Sequence, residues 1–129
     1  MTTLAARLFA QREGFGKAGA VPTRDNNPGD LRHAPGASHE PGNPDGIGSF
    51  KTVAAGWAAL DRQLALYASR GLTVQQAVYQ FAPPSENDSA AYLAYICQGL
   101  NCQASTPMSV ASSAHTSLTR RAKRRDVFS

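Results

Sequence analysis

The chain has 129 residues, a hydrophobic share of 42% and a formal net charge of +4, which is typical of one globular domain. No apolar run approaches the roughly 20 residues that a membrane-spanning helix requires. The N-terminus also lacks the basic leader and the continuous apolar core of a secretory signal. We therefore expect no membrane span, and a protein that is made in the cytoplasm without a signal peptide.

The positive charge is concentrated at the end of the chain. Residues 1–111 carry eight Lys or Arg and eight Asp or Glu, so this part is formally neutral. We predict a domain over residues 1–111 and a basic, Ser/Thr-rich tail over residues 112–129. The tail is typical of a solvated chain end, and the alternative is contact with a polyanion through Arg120, Arg121, Lys123, Arg124 and Arg125. The neutral body argues against a nucleic-acid-binding protein.

The first predicted element is an amphipathic helix over residues 2–12, where apolar side chains recur at helical spacing. Gly14 and Gly16 supply its stop signal, so Glu13 should lie in the last turn. The negative end of the helix dipole, and burial against Phe15, would raise the pKa of this carboxyl. A general acid needs such a pKa at neutral pH. The alternative interpretation is an ordinary solvated glutamate at a helix end.

Residues 14–50 are predicted to form loops and a short hairpin, not a helix, because they hold eight of the eleven glycines and five of the eight prolines. Residues 23–32 are rich in side-chain amides and carboxylates. This pattern indicates an Asx-type turn reversed at Pro28-Gly29, and it also suits a polar wall that binds sugar hydroxyls. Residues 45–50 then suit a short strand, with Ile47 and Phe50 available to pack.

A long helix is predicted after the hairpin. Thr52 is its N-cap, and Gly71 ends it shortly after Ser69. Its apolar residues are spaced as the stripe of a central core helix, namely Val53, Trp57, Leu60, Leu64 and Tyr67.

Two shorter helices are predicted next. Thr73 caps the first, which Pro83-Pro84 stop, and the second begins at residue 88 or 89 and runs to Gly99. The connector between them, residues 82–88, is polar, and its alternative interpretation is a loop with an N-cap. Thr106-Pro107 favours one more helical turn.

Neither the cysteines nor the histidines have the spacing of a metal site. Cys97 and Cys102 lack a CxxC pattern and neighbouring histidines, and we interpret them as structural thiols whose pairing stays open. The three histidines likewise lack metal-ligand spacing, namely His33, His39 and His115. We therefore predict no metal and no cofactor.

Taken in order, these pieces resemble the phage and prophage lysozyme-like proteins, which are muramidase or lytic-transglycosylase relatives, some carried in virions. The resemblance covers residues 10–108 and is carried by Glu13-Gly14-Phe15, Asn26-Asn27-Pro28-Gly29-Asp30-Leu31-Arg32, Gly48-Ser49-Phe50, Gly56-Trp57, Leu66-Tyr67, Arg70-Gly71-Leu72-Thr73, and Ala82-Pro83-Pro84-Ser85-Glu86-Asn87 with Tyr92. It implies an α+β, predominantly helical, lysozyme-like fold with a small hairpin region and a substrate cleft. Two departures are Asp30, where the family pattern often has Asn, and the basic tail in place of further helical sequence.

The resemblance implies cleavage of peptidoglycan between N-acetylmuramic acid and N-acetylglucosamine, at a cell wall reached by lysis, secretion or a virion. Glu13 would protonate the bridging oxygen. The implied substrate-binding residues are Asp25, Asn26, Asn27, Ser49, Phe50, Glu86, Asn87 and Tyr92. We also expect a set of polar residues to converge on one cleft with Glu13, namely Asn26, Asn27, Glu86 and Asn87.

The mechanism stays open between hydrolysis and transglycosylation. A muramidase requires a second carboxylate, for which the candidates by residue type are Asp25, Asp30, Asp45 and Glu86. A lytic transglycosylase manages with one glutamate and uses the muramyl 6-hydroxyl as nucleophile, which the lack of an obvious partner favours. The alternative function is a non-catalytic virion structural or peptidoglycan-binding protein with the same fold.

Overall fold

The computed structural model describes residues 2–32, 34–39 and 47–112. Its elements in chain order are α1 Leu4–Glu13, α2 Val21–Arg24, β1 Ser38–His39, β2 Gly48–Ser49, α3 Val53–Ser69, α4 Val74–Phe81 and α5 Ser89–Leu100, followed by a helical turn over residues 108–112. The prediction of a predominantly helical fold with little strand is confirmed. Among the described residues, no helix combines the length and apolar character needed to cross a membrane.

Two compact units make up the chain, and the division falls inside α3. Residues up to Leu64 form the first unit and residues from Ala65 form the second. The predicted basic tail is residues 112–129, and apart from Ser112 it lies outside the described residues. Ala111 is buried within the helical turn, so the described packing reaches the end of the predicted domain.

Helix α1 ends at the predicted stop signal but begins at Leu4, two residues later than predicted. The Thr3 hydroxyl accepts a hydrogen bond from the Ala6 N–H at 3.1 Å, which caps the first turn. Gly14 adopts a left-handed φ of 91°, and the N–H groups of Gly14 and Phe15 bond back to the carbonyls of Gln11 and Ala10. These two bonds form a Schellman motif. Glu13 is therefore the last helical residue, as predicted.

Residues 14–50 contain the predicted hairpin but also a helix that was not predicted. Strands β1 and β2 pair antiparallel, and an isolated bridge between Arg32 and Ile47 extends the pairing. The expectation of no helix in this segment is wrong, because Val21–Arg24 form α2. Pro22 lies in its first turn, where a missing N–H breaks no intrahelical bond.

Helix α3 follows the predicted N-cap and supplies much of the core. The Thr52 hydroxyl accepts from the Ala55 N–H at 3.1 Å. Most of the predicted stripe is confirmed, since Leu60, Leu64 and Tyr67 are buried. Val53 is 42% exposed, so its assignment to the core is wrong and the buried stripe starts later in the helix.

The second unit is built from the end of α3, α4, α5 and the segment after them. Thr73 and Gln76 form a reciprocal capping box at the start of α4, and the Asp88 side chain caps α5. The carbonyls of Ala104 and Thr106 accept hydrogen bonds from the first N–H groups of α4, at 3.0 and 2.8 Å. The returning segment therefore satisfies backbone donors that α4 cannot satisfy itself. Buried side chains between these elements include Val74, Val78, Ile96, Leu100 and Met108.

Candidate functional site

Glu13 is the last residue of α1, and Phe15, which belongs to an aromatic pair with Trp57, follows two residues later. Glu13 is half-buried, and the Schellman motif fixes the chain direction immediately after it. Two residues later, the Phe15 ring meets the Trp57 ring of α3 edge to face, with centroids 5.3 Å apart and planes at 75°. The Gly16 N–H donates to the Thr23 hydroxyl at 2.8 Å, which ties this turn to α2. The backbone around Glu13 is thus held at several points.

Asn27 links the polar turn to the hairpin. Its side-chain amide donates to the carbonyls of Leu31 and Gly48, at 3.0 and 2.9 Å, and its Oδ1 accepts from the Leu31 N–H at 3.0 Å. The residue is fully buried. Both amide hydrogens are therefore used by backbone groups, and the side chain has no surface to offer a substrate.

Asn26 and Asp25 join the same turn to Phe50. The Asn26 side chain donates to the Phe50 carbonyl at 3.0 Å, and the Phe50 N–H donates to the Asp25 carbonyl at 2.9 Å. Asn26 and Asp30 have positive φ angles of 52° and 51°, a region that Asn and Asp tolerate better than most residues. Asp at residue 30 therefore suits a backbone that an Asn would also suit. These bonds bring together four of the predicted site residues, namely Asp25, Asn26, Asn27 and Phe50.

The Asp25 side chain is the most unusual group of this turn. The residue is 1% exposed, and its nearest ionic partner is the Arg24 Nε, 3.6 Å from Oδ1. Neither carboxylate oxygen accepts a hydrogen bond from the part of the chain that the structure describes. Burying a carboxylate without hydrogen bonds is unfavourable. The carboxylate lies out of solvent reach, so it does not present itself to a glycan.

Helix α3 packs directly on this turn at Gly56. A Cβ atom at residue 56 would lie 1.9 Å from the Asn26 carbonyl oxygen and 2.8 Å from the Pro28 Cδ. Only a glycine permits so close an approach. The sequence signal for this contact is an isolated glycine inside a helical pattern, which often marks close packing. We did not predict this close packing at Gly56.

The first unit also has a shallow groove that we did not predict from the sequence. It has a volume of about 280 Å³, and its lining is mostly small and apolar, with one cation at its edge, namely Pro35, Gly36, Phe50, Ala55, Ala58, Ala59 and Arg62. The sequence signal is the spacing of 55, 58, 59 and 62, which places one face of α3 along the groove. Phe50 belongs both to this groove and to the polar turn, whereas Ser49 is half-buried and pairs with Ser38.

The remaining predicted site residues belong to the second unit. Glu86 and Asn87 are exposed in the loop between α4 and α5, and the N–H groups of both donate to the Pro83 carbonyl at 3.0 Å. Tyr92 is buried, with its ring 6.3 Å from that of Phe81. Tyr92 therefore contributes to the packing of this unit. The convergence of Glu86 and Asn87 with the residues of the first unit stays a prediction.

The described residues contain no group of three or more His, Cys, Asp or Glu side chains that could hold a metal ion. Comparisons of the chain with protein-family models, with curated proteins and with solved structures find no match.

Proposed function

We propose that this protein cleaves the glycan strand of peptidoglycan between N-acetylmuramic acid and N-acetylglucosamine, with Glu13 as general acid and base. The fold would be lysozyme-like with a substrate cleft, and the protein would act at the bacterial cell wall, reached by lysis, secretion or a virion. One observation carries the proposal: the half-buried Glu13 ends α1, two residues before Phe15, whose ring packs edge to face on Trp57. That is a suitable place for an acid that must be oriented and kept protonated.

The position of Glu13 suits the chemistry of its proposed role. The partial negative charge at a helix C-terminus disfavours a second negative charge, and so favours the protonated carboxyl. A protonated carboxyl can donate to the bridging oxygen as the glycosidic bond breaks. The aromatic pair, Phe15 and Trp57, offers apolar surface of the kind that lines ligand pockets.

The burial of Asp25 favours the transglycosylase mechanism. Ordinary retaining and inverting glycosidases place two carboxyl groups on either side of the bond that breaks. Asp25 is a candidate for the second group by type, but it is out of solvent reach. Asp45 lies outside the described residues, and Asp30 and Glu86 remain candidates by type only. With a single glutamate, the muramyl 6-hydroxyl would attack the anomeric carbon and leave a 1,6-anhydro end.

In this proposal some residues of the polar turn hold the site in shape and do not contact the glycan. Asn27 and Asp25 are positioning residues, because Asn27 holds β2 and the backbone of Asp25 holds Phe50. Phe50 and the alanine face of α3 would accept the apolar side of a sugar or its N-acetyl methyl group. Arg62, at the edge of the groove, would pair with the lactyl carboxylate of the muramyl residue.

The test is mass spectrometry of purified sacculi digested with wild-type protein and with Glu13→Gln. The amide keeps the side-chain shape but cannot donate the proton, so activity should fall on the order of 10²- to 10⁴-fold with the unfolding transition unchanged. Wild-type products with 1,6-anhydro ends support transglycosylation, and reducing ends support hydrolysis. Near wild-type turnover by Glu13→Gln would show that Glu13 is not the acid.

Glu86→Gln is the matched comparison, because it makes the same change at another carboxylate. Under transglycosylation it should keep most of the activity, since no second carboxylate reacts. A loss as deep as that of Glu13→Gln would instead indicate a two-carboxylate glycosidase.

A non-catalytic virion structural or peptidoglycan-binding protein is the second candidate. The observation that favours it is that the amide groups of Asn26 and Asn27 bond to backbone carbonyls. Such a protein would bind purified sacculi without releasing products, and its binding would survive Glu13→Gln.

A further inference from the structure

The C-terminus of α5 places two cysteines where their side chains meet. Asn101 has a left-handed φ of 53°, and its N–H bonds to the Gln98 carbonyl at 3.3 Å. The Cys102 N–H bonds to the Cys97 carbonyl at 3.0 Å. These bonds define a Schellman motif, whose first and last residues commonly make a side-chain contact across the helix end. Here those two residues are Cys97 and Cys102.

The same motif ends two other helices of the protein, and there the meeting pair is not oxidisable. At α1 the pair is Ala10 and Phe15, and at α3 it is Tyr67 and Leu72, whose N–H bonds to the Tyr67 carbonyl at 3.2 Å. The motif thus uses apolar side chains at α1, and a tyrosine and a leucine at α3. At α5 it holds two thiols, which are both free and both half-buried.

The two thiols also influence each other. Burial, the charge of Cys97 and a hydrogen bond with Cys97 together raise the pKa of Cys102 to about 11. This mutual influence agrees with the side-chain contact that the Schellman motif favours between its first and last residues. At neutral pH, Cys102 is almost entirely in the unreactive thiol form.

We propose that Cys97 and Cys102 are an oxidisable dithiol that closes to an intramolecular disulfide across the C-terminus of α5. The inference goes beyond glycan cleavage and involves none of its residues. The oxidant is a small-molecule disulfide, of which glutathione disulfide is an example. The modification is reversible by small-molecule thiols.

The reaction proceeds by two thiol–disulfide exchanges. The Cys97 thiolate attacks one sulfur of the oxidant, forms a mixed disulfide and releases one thiolate, which takes a proton from water. Cys102 then loses its proton to solvent and attacks the Cys97 sulfur, which releases the second thiolate. Two electrons pass from the protein thiols to the oxidant disulfide, and its two halves leave as thiols.

Closure would fasten the end of α5 to the segment that caps α4. Cys102 directly precedes residues 103–107, whose carbonyls at Ala104 and Thr106 accept from the N–H groups of Gln75 and Val74. The Gln103 N–H also donates to the Thr106 hydroxyl at 3.1 Å, so this segment is ordered before any bond forms. Oxidation would therefore connect α5 covalently to the segment that caps α4, and so brace both of these helices.

In the test, the full-length protein is equilibrated with glutathione and glutathione disulfide at fixed ratios. The free thiols are then alkylated, and the peptides are identified by mass spectrometry. We expect a Cys97–Cys102 linkage in the monomer, with an effective thiol concentration far above the millimolar range of thiols on a flexible linker. Cys102→Ser should stop at a stable mixed disulfide on Cys97. Separate glutathionylation of both cysteines, disulfide-linked dimers only, or an effective concentration in the millimolar range would each overturn the proposal.

Variants at Asn101 test the motif itself. Asn101→Gly keeps the left-handed conformation available and should leave the effective concentration unchanged within about twofold. Asn101→Val disfavours that conformation, so closure must restore it. The effective concentration should then fall by about 5- to 30-fold. Equal closure by the two variants would show that the Schellman geometry does not bring the thiols together.

Discussion

The described residues between 25 and 50, and residues 73–100, are held in shape by different kinds of interaction. In the first region, one buried amide, that of Asn27, bonds to backbone groups as far as 21 residues away. In the second region, side chains cap helix ends three residues away, as Thr73 does for Gln76 and Asp88 does for Ala91. The first arrangement concentrates its stability in few residues, and the second spreads it over many.

The difference has an energetic consequence. Losing a helix N-cap costs about 1 kcal/mol, whereas each buried group left without its hydrogen bond costs about 1–3 kcal/mol. Removing a hydrogen-bonded side chain of the polar turn should therefore be more damaging than removing a side chain that caps a helix end.

Gly56→Ala should give the largest loss of stability. Its Cβ would overlap the Asn26 carbonyl oxygen, a backbone atom that can move only with the whole turn. We expect a decrease of about 3 kcal/mol or more in the free energy of unfolding, measured by denaturant titration. Gly99→Ala is the matched control, because Gly99 is exposed in α5 and alanine there should stabilise by about 0.5–1 kcal/mol. A neutral Gly56→Ala would mean that the turn and α3 pack loosely.

Asn27→Ala should follow, with a loss of about 2–3 kcal/mol. The substitution leaves the Leu31 and Gly48 carbonyls and the Leu31 N–H without their buried partner. Asn87→Ala removes one long, exposed bond to the Pro83 carbonyl, and should change the same quantity by less than about 0.5 kcal/mol. Similar losses for the two variants would contradict the distinction between the regions.

These two sites also show what sequence patterns reveal and what they do not. Helices α1, α3, α4 and α5 were predicted because their caps and stop signals lie within a few residues of each helix end. Asn27 was recognised as turn-forming, but its bond to Gly48 depends on a tertiary contact that no local pattern encodes. The glycine at residue 56 was part of a motif, yet its reason is the approach of a distant carbonyl.

Helix α2 and the groove mark two other limits of prediction. The glycine and proline content of residues 14–50 concealed α2, although Pro22 in the first turn is itself a helix-start signal. The groove depends on Pro35 and Gly36 meeting one face of α3, and helical spacing predicts that face but not the loop against it.

Asp25→Asn should stabilise the protein by about 1 kcal/mol. An amide removes the buried charge that no described hydrogen bond satisfies, although it also gives up the ionic contact with Arg24. Asp61→Asn is the control with the opposite expectation. The Asp61 Oδ1 accepts from the Thr3 N–H and hydroxyl, so its loss of charge should weaken both bonds. A shift of the thermal midpoint in the same direction for both variants would contradict this assignment.

The smallest expected effect is the pH dependence that Cys102 contributes. Its pKa is raised from 9.0 to about 11 in the folded protein, so the unfolded chain releases the proton first. The free energy of unfolding of the reduced protein should therefore be unaffected below about pH 9 and fall as the pH rises towards about 11. Denaturant titrations of wild type and Cys102→Ser in reductant isolate this contribution, and identical pH profiles would contradict it.

Asn27 also determines how the hairpin opens. Its amide bonds at once to Leu31 and Gly48, and the Gly48 N–H bonds back to the Leu31 carbonyl at 2.9 Å. The hydrogen bonds between the turn and β2 should therefore break as one unit. The amide hydrogens of Leu31 and Gly48 should then exchange with solvent in one cooperative event. A ligand arriving at Phe50 would meet a surface that is already ordered, and little conformational entropy would be lost when it binds.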